Sequence, residues 1–337
     1  MPRLVAAPDK FRGTASARGI ADAVCRAVDA VGGEWTCDAV PVADGGEGTL
    51  DVLGGRARYT TVMGPLGDAV RAEWRQDGER AVVEMARASG LALVGGPDGN
   101  DAMAASTYGT GELISAALDA GATEIIVAAG GSATTDGGLG AIRALEPRRR
   151  LLGIDLIVAC DVELAFVDAA SVFAPQKGAT PAQVALLTRR LERLAQVYEE
   201  DFGVDVRSMP GSGAAGGLAG GLAAIGAELV PGFDVVADAL GLEERIEGAR
   251  LVVTGEGFLD EQSFRGKAVG GVCRLAAGLG VATLVVAGEV LDGVHVPEGV
   301  ECVSLVARFG DERARGDVVA CVETVVREHL SRLSDLS

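Results

Sequence analysis

Histidine is nearly missing from this chain: its 337 residues include His295, His329 and no other. A His-rich zinc site cannot be built from such a supply, and His–Asp relay catalysis is not expected. His329 falls in a charged helical pattern and His295 in a short Pro-flanked segment, so both are expected at the surface. Aromatic residues are only 4%, so Ala, Val, Leu and Ile must build the core. That composition suits parallel strands buried between helices. None of the cysteines (Cys25, Cys37, Cys160, Cys273, Cys302, Cys321) forms a C-x-x-C pair. They are expected to be small buried hydrophobes in a reduced compartment. No apolar signal segment opens the sequence. The uncharged stretch 209–227 is rich in Gly and Ala and carries Pro210, so it reads as a glycine-rich loop feeding a buried helix. A soluble cytoplasmic chain without a membrane partner is expected. Cations are scarce too, with Lys+Arg 30 against Asp+Glu 48 and a net charge of −18. This excess repels polyphosphate backbones and argues against a nucleic-acid partner. A site for an anionic ligand would have to be made locally positive by helix N-termini, the few lysines or a metal.

What is abundant is glycine, 49 residues, set between alternating strand and helix patterns. RLVAA (3–7) reads as a buried strand, 15–31 as a helix and 35–42 as a second strand. The short alternating runs from 59 to 93 suggest antiparallel strands. A helix (109–120), a strand (124–129), a helix (135–145) and a strand (156–160) follow. An amphipathic helix is expected over 181–200, capped by Thr180 with Pro181 at its first position. Clean α/β alternation returns after 250 and ends in a long helix at 317–333. The predicted fold class is α/β with two domains: residues 1–60 and 245–337 form one parallel sheet from both chain ends, and 61–244 form an inserted mixed α/β domain.

Five polar or Gly-rich loops sit at strand-to-helix junctions: PDKFRGT (8–14), DGGEGT (44–49), GGSATTDGG (130–138), PGSGAAGG (210–217) and TGEGFLDEQS (254–263). Helix N-termini offer unpaired N–H groups, and Gly lets an anion approach the backbone, so these loops suit phosphate or carboxylate. Asp44, Glu47, Asp136, Glu256 and Asp260 lie where open α/β sheets bind ligands. Phosphoryl transfer needs such carboxylates for Mg²⁺ and beside the attacking hydroxyl. The catalytic candidates are Lys10, Asp44, Asp136 and Asp260. Asp136 and Asp260 are also the metal candidates, one binding Mg²⁺ and the other aiding proton removal. The nucleotide candidates are Gly130, Gly131, Ser132, Gly211, Gly213 and Gly216, with Lys177 and Lys267 to neutralise phosphates. A P-loop is absent, because Gly266-Lys267 is followed by Ala268 and no Gly stands five residues before. Gly211, Gly213 and Gly216 spell G-x-G-x-x-G, but DVRSMP before them is no apolar strand, so a dinucleotide fingerprint is not expected.

Taken in order, APDKFRG, VADGGEGT, MGPLG, EMARASGLALV, TYGTGELI, GGSATTDGG, VFAPQKGA, GSGAAGGLAGGL and VVTGEGFLDEQSFRGK resemble the glycerate kinase type I family over nearly the whole chain. The resemblance implies ATP, Mg²⁺ and D-glycerate, with 2-phosphoglycerate as product, and two α/β domains of which one is flavodoxin-like and assembled from both chain ends. A related hydroxy acid as substrate, a silent ligand-binding relative and a homo-oligomer stay open. The chain departs from the family between Leu145 and Asp161, where the connection is short, and in DVELAFVDAASVF (161–173), which lacks the family's Asn-Pro. Lys10 and Arg12 also stand where the family often shows Ser and Lys.

Overall fold

The computed structural model describes residues 1–11, 13–32, 35–264 and 267–335. Arg12 and Gly266 lie outside the described residues. In chain order the first strands are β1 (Arg3–Ala6), β2 (Thr36–Ala39), β3 (Arg56–Met63), β4 (Ala69–Asp77) and β5 (Arg80–Glu84). β6 (Glu124–Ala128), β7 (Asp155–Cys160), β8 (Glu228–Pro231) and β9 (Leu251–Thr254) follow. The last are β10 (Phe258–Leu259), β11 (Ala282–Ala287), β12 (Glu289–Val290) and β13 (Val300–Ser304). The chain separates into two compact units, Met1–Asp44 with Phe233–Ser337, and Gly45–Gly232. The expected junctions lay at 60/61 and 244/245, and the observed division falls at 44/45 and 232/233.

The first unit is a five-stranded sheet in the order β13-β11-β9-β1-β2, with every pairing parallel. Side chains alternate across a strand, and both faces are apolar here. Leu4, Ala6, Leu251 and Val253 pack against helices Ala17–Val31 and Val318–Asp335. Val5, Ala7 and Val252 pack on the opposite side against helices Leu242–Ile246 and Ala268–Gly278. Each buried Val or Leu contributes about 1.5–3 kcal/mol. From β1 the chain winds outward to β2, whereas β9, β11 and β13 wind the other way. The winding reverses between β1 and β9, and the carboxyl ends of these two strands form the crevice in which open parallel sheets bind ligands.

The second unit is a mixed six-stranded sheet, β3-β4-β5-β6-β7-β8. β3, β4 and β5 run antiparallel, as the alternating runs suggested, and β5 to β8 are parallel. Helices Tyr108–Asp119, Leu139–Ala144 and Ala214–Ala224 bury one face. Thr180 and Gln183 form a reciprocal capping box at the start of helix Pro181–Phe202, with Pro181 in the first turn. The short strand β8 and the helix Gly232–Leu240 had no sequence expectation. Gly45 is required where the unit begins: its φ is +84°, and a Cβ there would lie 2.4 Å from the Gly232 backbone.

Two expectations are corrected. Cys25 and Cys37 are not free thiols but form a disulfide, because helix Ala17–Val31 delivers its Cys to within 5.3 Å, Cα to Cα, of the neighbouring strand β2. Cys160, Cys273, Cys302 and Cys321 are free. His329 is buried rather than exposed, with Nδ1 3.3 Å from Glu301. Among the described residues, no helix is long and apolar enough to cross a membrane.

Candidate active site

At the switch point of the first unit, the segment leaving β1 brings up Asp9 and Lys10, and the segment leaving β9 brings up Glu256 and Asp260. The two are tied together. The Asp9 N–H donates to the Gly255 carbonyl (2.9 Å), and the Thr254 hydroxyl donates to the Ala7 carbonyl (2.7 Å). The sequence did not single out Asp9. It is 6% exposed. Its Oδ1 accepts the Lys10 N–H at 2.6 Å and lies 4.0 Å from Lys10 Nζ. Burial pushes the Asp9 carboxyl up to about 7; Asp44 and Glu256 push the same way, while Lys10 opposes them. Asp44 follows β2, the parallel neighbour of β1, so Lys10 and Asp44 leave the same sheet edge. Burial also raises the Glu256 carboxyl, against the pull of Ser263 and Lys267. Its Oε1 is buried and has no hydrogen-bond partner among the described residues. Asp260 is more open. Slight burial raises its carboxyl, but Lys267, the Gln262 N–H and Ser263 outweigh this and hold it below its ordinary range. Lys267 Nζ lies 3.4 Å from Asp260 Oδ2.

The second unit gathers the other candidates. Lys177 is 3% exposed and donates to Ser132 Oγ (2.7 Å) and the Thr134 carbonyl (2.6 Å). Burial lowers its amine to about 7, with Asp136 pulling it back up. The amine therefore secures the loop 130–138 from within. The carboxylate of Asp136 is likewise engaged: Oδ2 accepts from Thr107 N–H (2.8 Å), Thr107 Oγ1 (2.9 Å) and Gly140 N–H (3.2 Å), and Oδ1 from Gly138 N–H (3.2 Å). This is the arrangement of a group that joins two helix starts, with few lone pairs left for a metal. Gly211, Gly213 and Gly216 are closely packed against neighbouring chain. A Cβ at Gly213 would sit 2.4 Å from the Ala165 carbonyl oxygen, and one at Gly216 only 1.9 Å from that of Thr134. Gly130 and Gly131 form the turn after β6; Gly131 has φ +68°. Glu84, also unforeseen, is 1% exposed and accepts from Gly48 N–H (2.8 Å) and Leu50 N–H (3.0 Å), fixing the start of helix Thr49–Leu53. Its position at the end of the apolar run AVVE (81–84) disguised it as a strand residue.

Asp9, Lys10, Asp44, Glu256, Asp260 and Lys267 thus belong to one unit, and Gly130, Gly131, Ser132, Asp136, Lys177, Gly211, Gly213 and Gly216 to the other. Among the described residues, no group of three or more His, Cys, Asp or Glu is arranged to hold a metal by itself.

Comparison with known proteins gives a consistent answer. The family model described as "Glycerate kinase family" matches residues 4–148 and 146–314. The chain is similar to the glycerate 2-kinase of Escherichia coli K12, 38% identical over 357 residues and covering 93% of each chain. It is similar to the glycerate kinase of Halalkalibacterium halodurans, 39% identical over 331 residues and covering 87% of each. A crystal structure from Salmonella typhimurium LT2, provisionally named glycerate kinase 2, superposes with a TM-score of 0.85 at 34% identity over 99% of this chain and 98% of that one. The fold class is the two-domain α/β one read from the sequence. The chain belongs to the glycerate kinase family and is a kinase that transfers phosphate to an alcohol group.

Proposed function

We propose that the chain transfers the γ-phosphoryl group of ATP to D-glycerate and yields 2-phosphoglycerate. The meeting of Asp9, Lys10, Asp44 and Glu256 at the switch point of the parallel sheet carries this reading. Transfer of this kind is direct, and catalysis rests on positioning and charge. Lys10 holds the substrate carboxylate or a phosphate oxygen. Asp9, whose burial keeps it near neutrality, accepts the hydroxyl proton as the oxygen attacks. Asp44, beside it, favours the protonated form of Asp9 once transfer is done.

The donor set fits Mg²⁺, which keeps several waters and takes one or two carboxylates together with phosphate oxygens. Glu256, with its unpartnered buried Oε1, and Asp260 in the same loop would hold it. Bound there, the ion would neutralise charge on the transferred group. Asp136 is not assigned to the metal, because its oxygens already serve Thr107, Gly138 and Gly140. Lys267 is assigned to phosphate oxygens. In the second unit, Gly130 and Gly131 remain candidates for contact with the nucleotide, while Ser132 and Lys177 shape their loop.

The test is product analysis by ³¹P NMR of the purified chain with ATP, Mg²⁺ and D-glycerate, beside lactate and tartronate as competing hydroxy acids. A new phosphate ester on C2 of glycerate is expected. Transfer to another hydroxy acid in preference, or no ester from any of them, would overturn the assignment.

A further inference from the structure

The second unit contains a cavity of about 580 Å³ that none of the assigned roles uses. It lies between one face of helix Pro181–Phe202 and the segments around 103–108 and 135–143. Its apolar part includes Leu139, Leu186, Leu194 and Val197. Its polar part is cationic, with Arg143, Arg189, Arg190 and Arg193 in a chain whose net charge is −18. Arg190 donates to the Met103 carbonyl (3.0 Å), and Arg193 lies 3.5 Å from Glu200. Among the described residues, Arg143 and Arg189 make no ion pair or side-chain hydrogen bond with a carboxylate. The one acid lining the cavity, Asp136, spends its oxygens on four donors of its own unit. Thr135, 2% exposed, also lines the cavity.

We infer that this cavity is a binding site for a phosphorylated organic anion, with the phosphate on Arg143 and Arg189 and the organic part on Leu186 and Leu194. Guanidinium groups suit phosphate because their fork of N–H donors matches two of its oxygens. The volume falls in the range of small-molecule sites, about 300–1,000 Å³, and is larger than inorganic phosphate needs. The anion could be the nucleotide of the reaction, which rests on the function proposed above, or a phosphorylated metabolite, which does not.

Calorimetric titration of the full chain with ADP, 2-phosphoglycerate and inorganic phosphate separates these sources. The same probes are run on the variants R143A/R189A, Leu186→Asn and, as a control outside the cavity, Arg149→Ala. The cavity side chains replaced are exposed, so folding should persist, and circular dichroism checks it; Arg189→Gln alone replaces the double variant if that one unfolds. The expected result is that one organic phosphate binds, and that its affinity falls at least tenfold in R143A/R189A and severalfold in Leu186→Asn, with Arg149→Ala unchanged. ADP as the affected probe identifies the nucleotide; 2-phosphoglycerate identifies a metabolite site. Equal binding of inorganic phosphate, or affinities for both organic probes that ignore the two arginines, would overturn the inference.

Discussion

Lys177 Nζ donates to Ser132 Oγ at 2.7 Å in a setting closed to solvent, so the only cation of the PQKGA segment is spent inside the protein. Burial lowers this amine to about 7, while in the unfolded chain it has its ordinary value of 10.5. Between those values the unfolded state binds the proton and the folded state does not, so this residue makes stability rise with pH across that window. Urea unfolding of wild type and Lys177→Met at pH 7, 8 and 9 measures it. The wild type should gain on the variant by up to about 1.4 kcal/mol per pH unit. Parallel curves would show that the amine stays charged when folded.

Asp136→Asn should lower stability and spare turnover. The amide nitrogen of Asn would face N–H donors that the carboxylate now satisfies. A loss of about 1–3 kcal/mol is expected, with kcat nearly intact. A hundredfold fall in kcat at unchanged melting temperature would return Asp136 to the metal or the proton. Asp260→Asn is the counterpart: kcat should fall roughly a hundredfold with little change in melting, and EDTA should abolish activity in the wild type.

Gly216→Ala should be among the most damaging single changes outside the site. The residue has φ +68°, and the added methyl would meet the Thr134 carbonyl oxygen at 1.9 Å. The left-handed conformation alone costs a non-glycine residue about 1–2 kcal/mol, and the clash adds to it. A melting temperature lowered by at least about 5 °C is expected; a variant that melts with the wild type would refute the packing account of this loop.

The disulfide between Cys25 and Cys37 spans 12 positions, and a loop of about that length stabilises by roughly 3 kcal/mol. Cys25→Ser/Cys37→Ser should therefore melt lower than wild type in oxidising buffer, and dithiothreitol should remove the difference. Equal melting in oxidising buffer would mean the bridge adds nothing.

The fold was largely legible because apolar periodicity is dictated by burial. RLVAA, EIIVA and LVVT are strands buried on both faces, and their runs announce it. The strand β8 and the disulfide were not legible, since the first is a brief edge strand behind a Gly-Ala helix and the second depends on which strand lies beside helix Ala17–Val31. At the site, glycine motifs marked the loops but could not say which contacts require each glycine. Gly213 and Gly216 answer to neighbouring carbonyls, and Asp136 and Lys177 to the loop's own backbone. Asp9 was hidden because a buried carboxylate just past a strand looks, in one dimension, like any loop acid, and Glu84 because it closes an apolar strand run.

The measurement that bears most directly on the assignment of the reaction centre is kcat of Asp9→Asn for glycerate phosphorylation, taken together with its melting temperature. The account predicts a fall in kcat of roughly a hundredfold or more, because Asn cannot accept the hydroxyl proton. It predicts no loss of thermal stability at pH 8, because the substitution removes a buried charge. Turnover at the wild-type rate in a folded Asp9→Asn protein would contradict it.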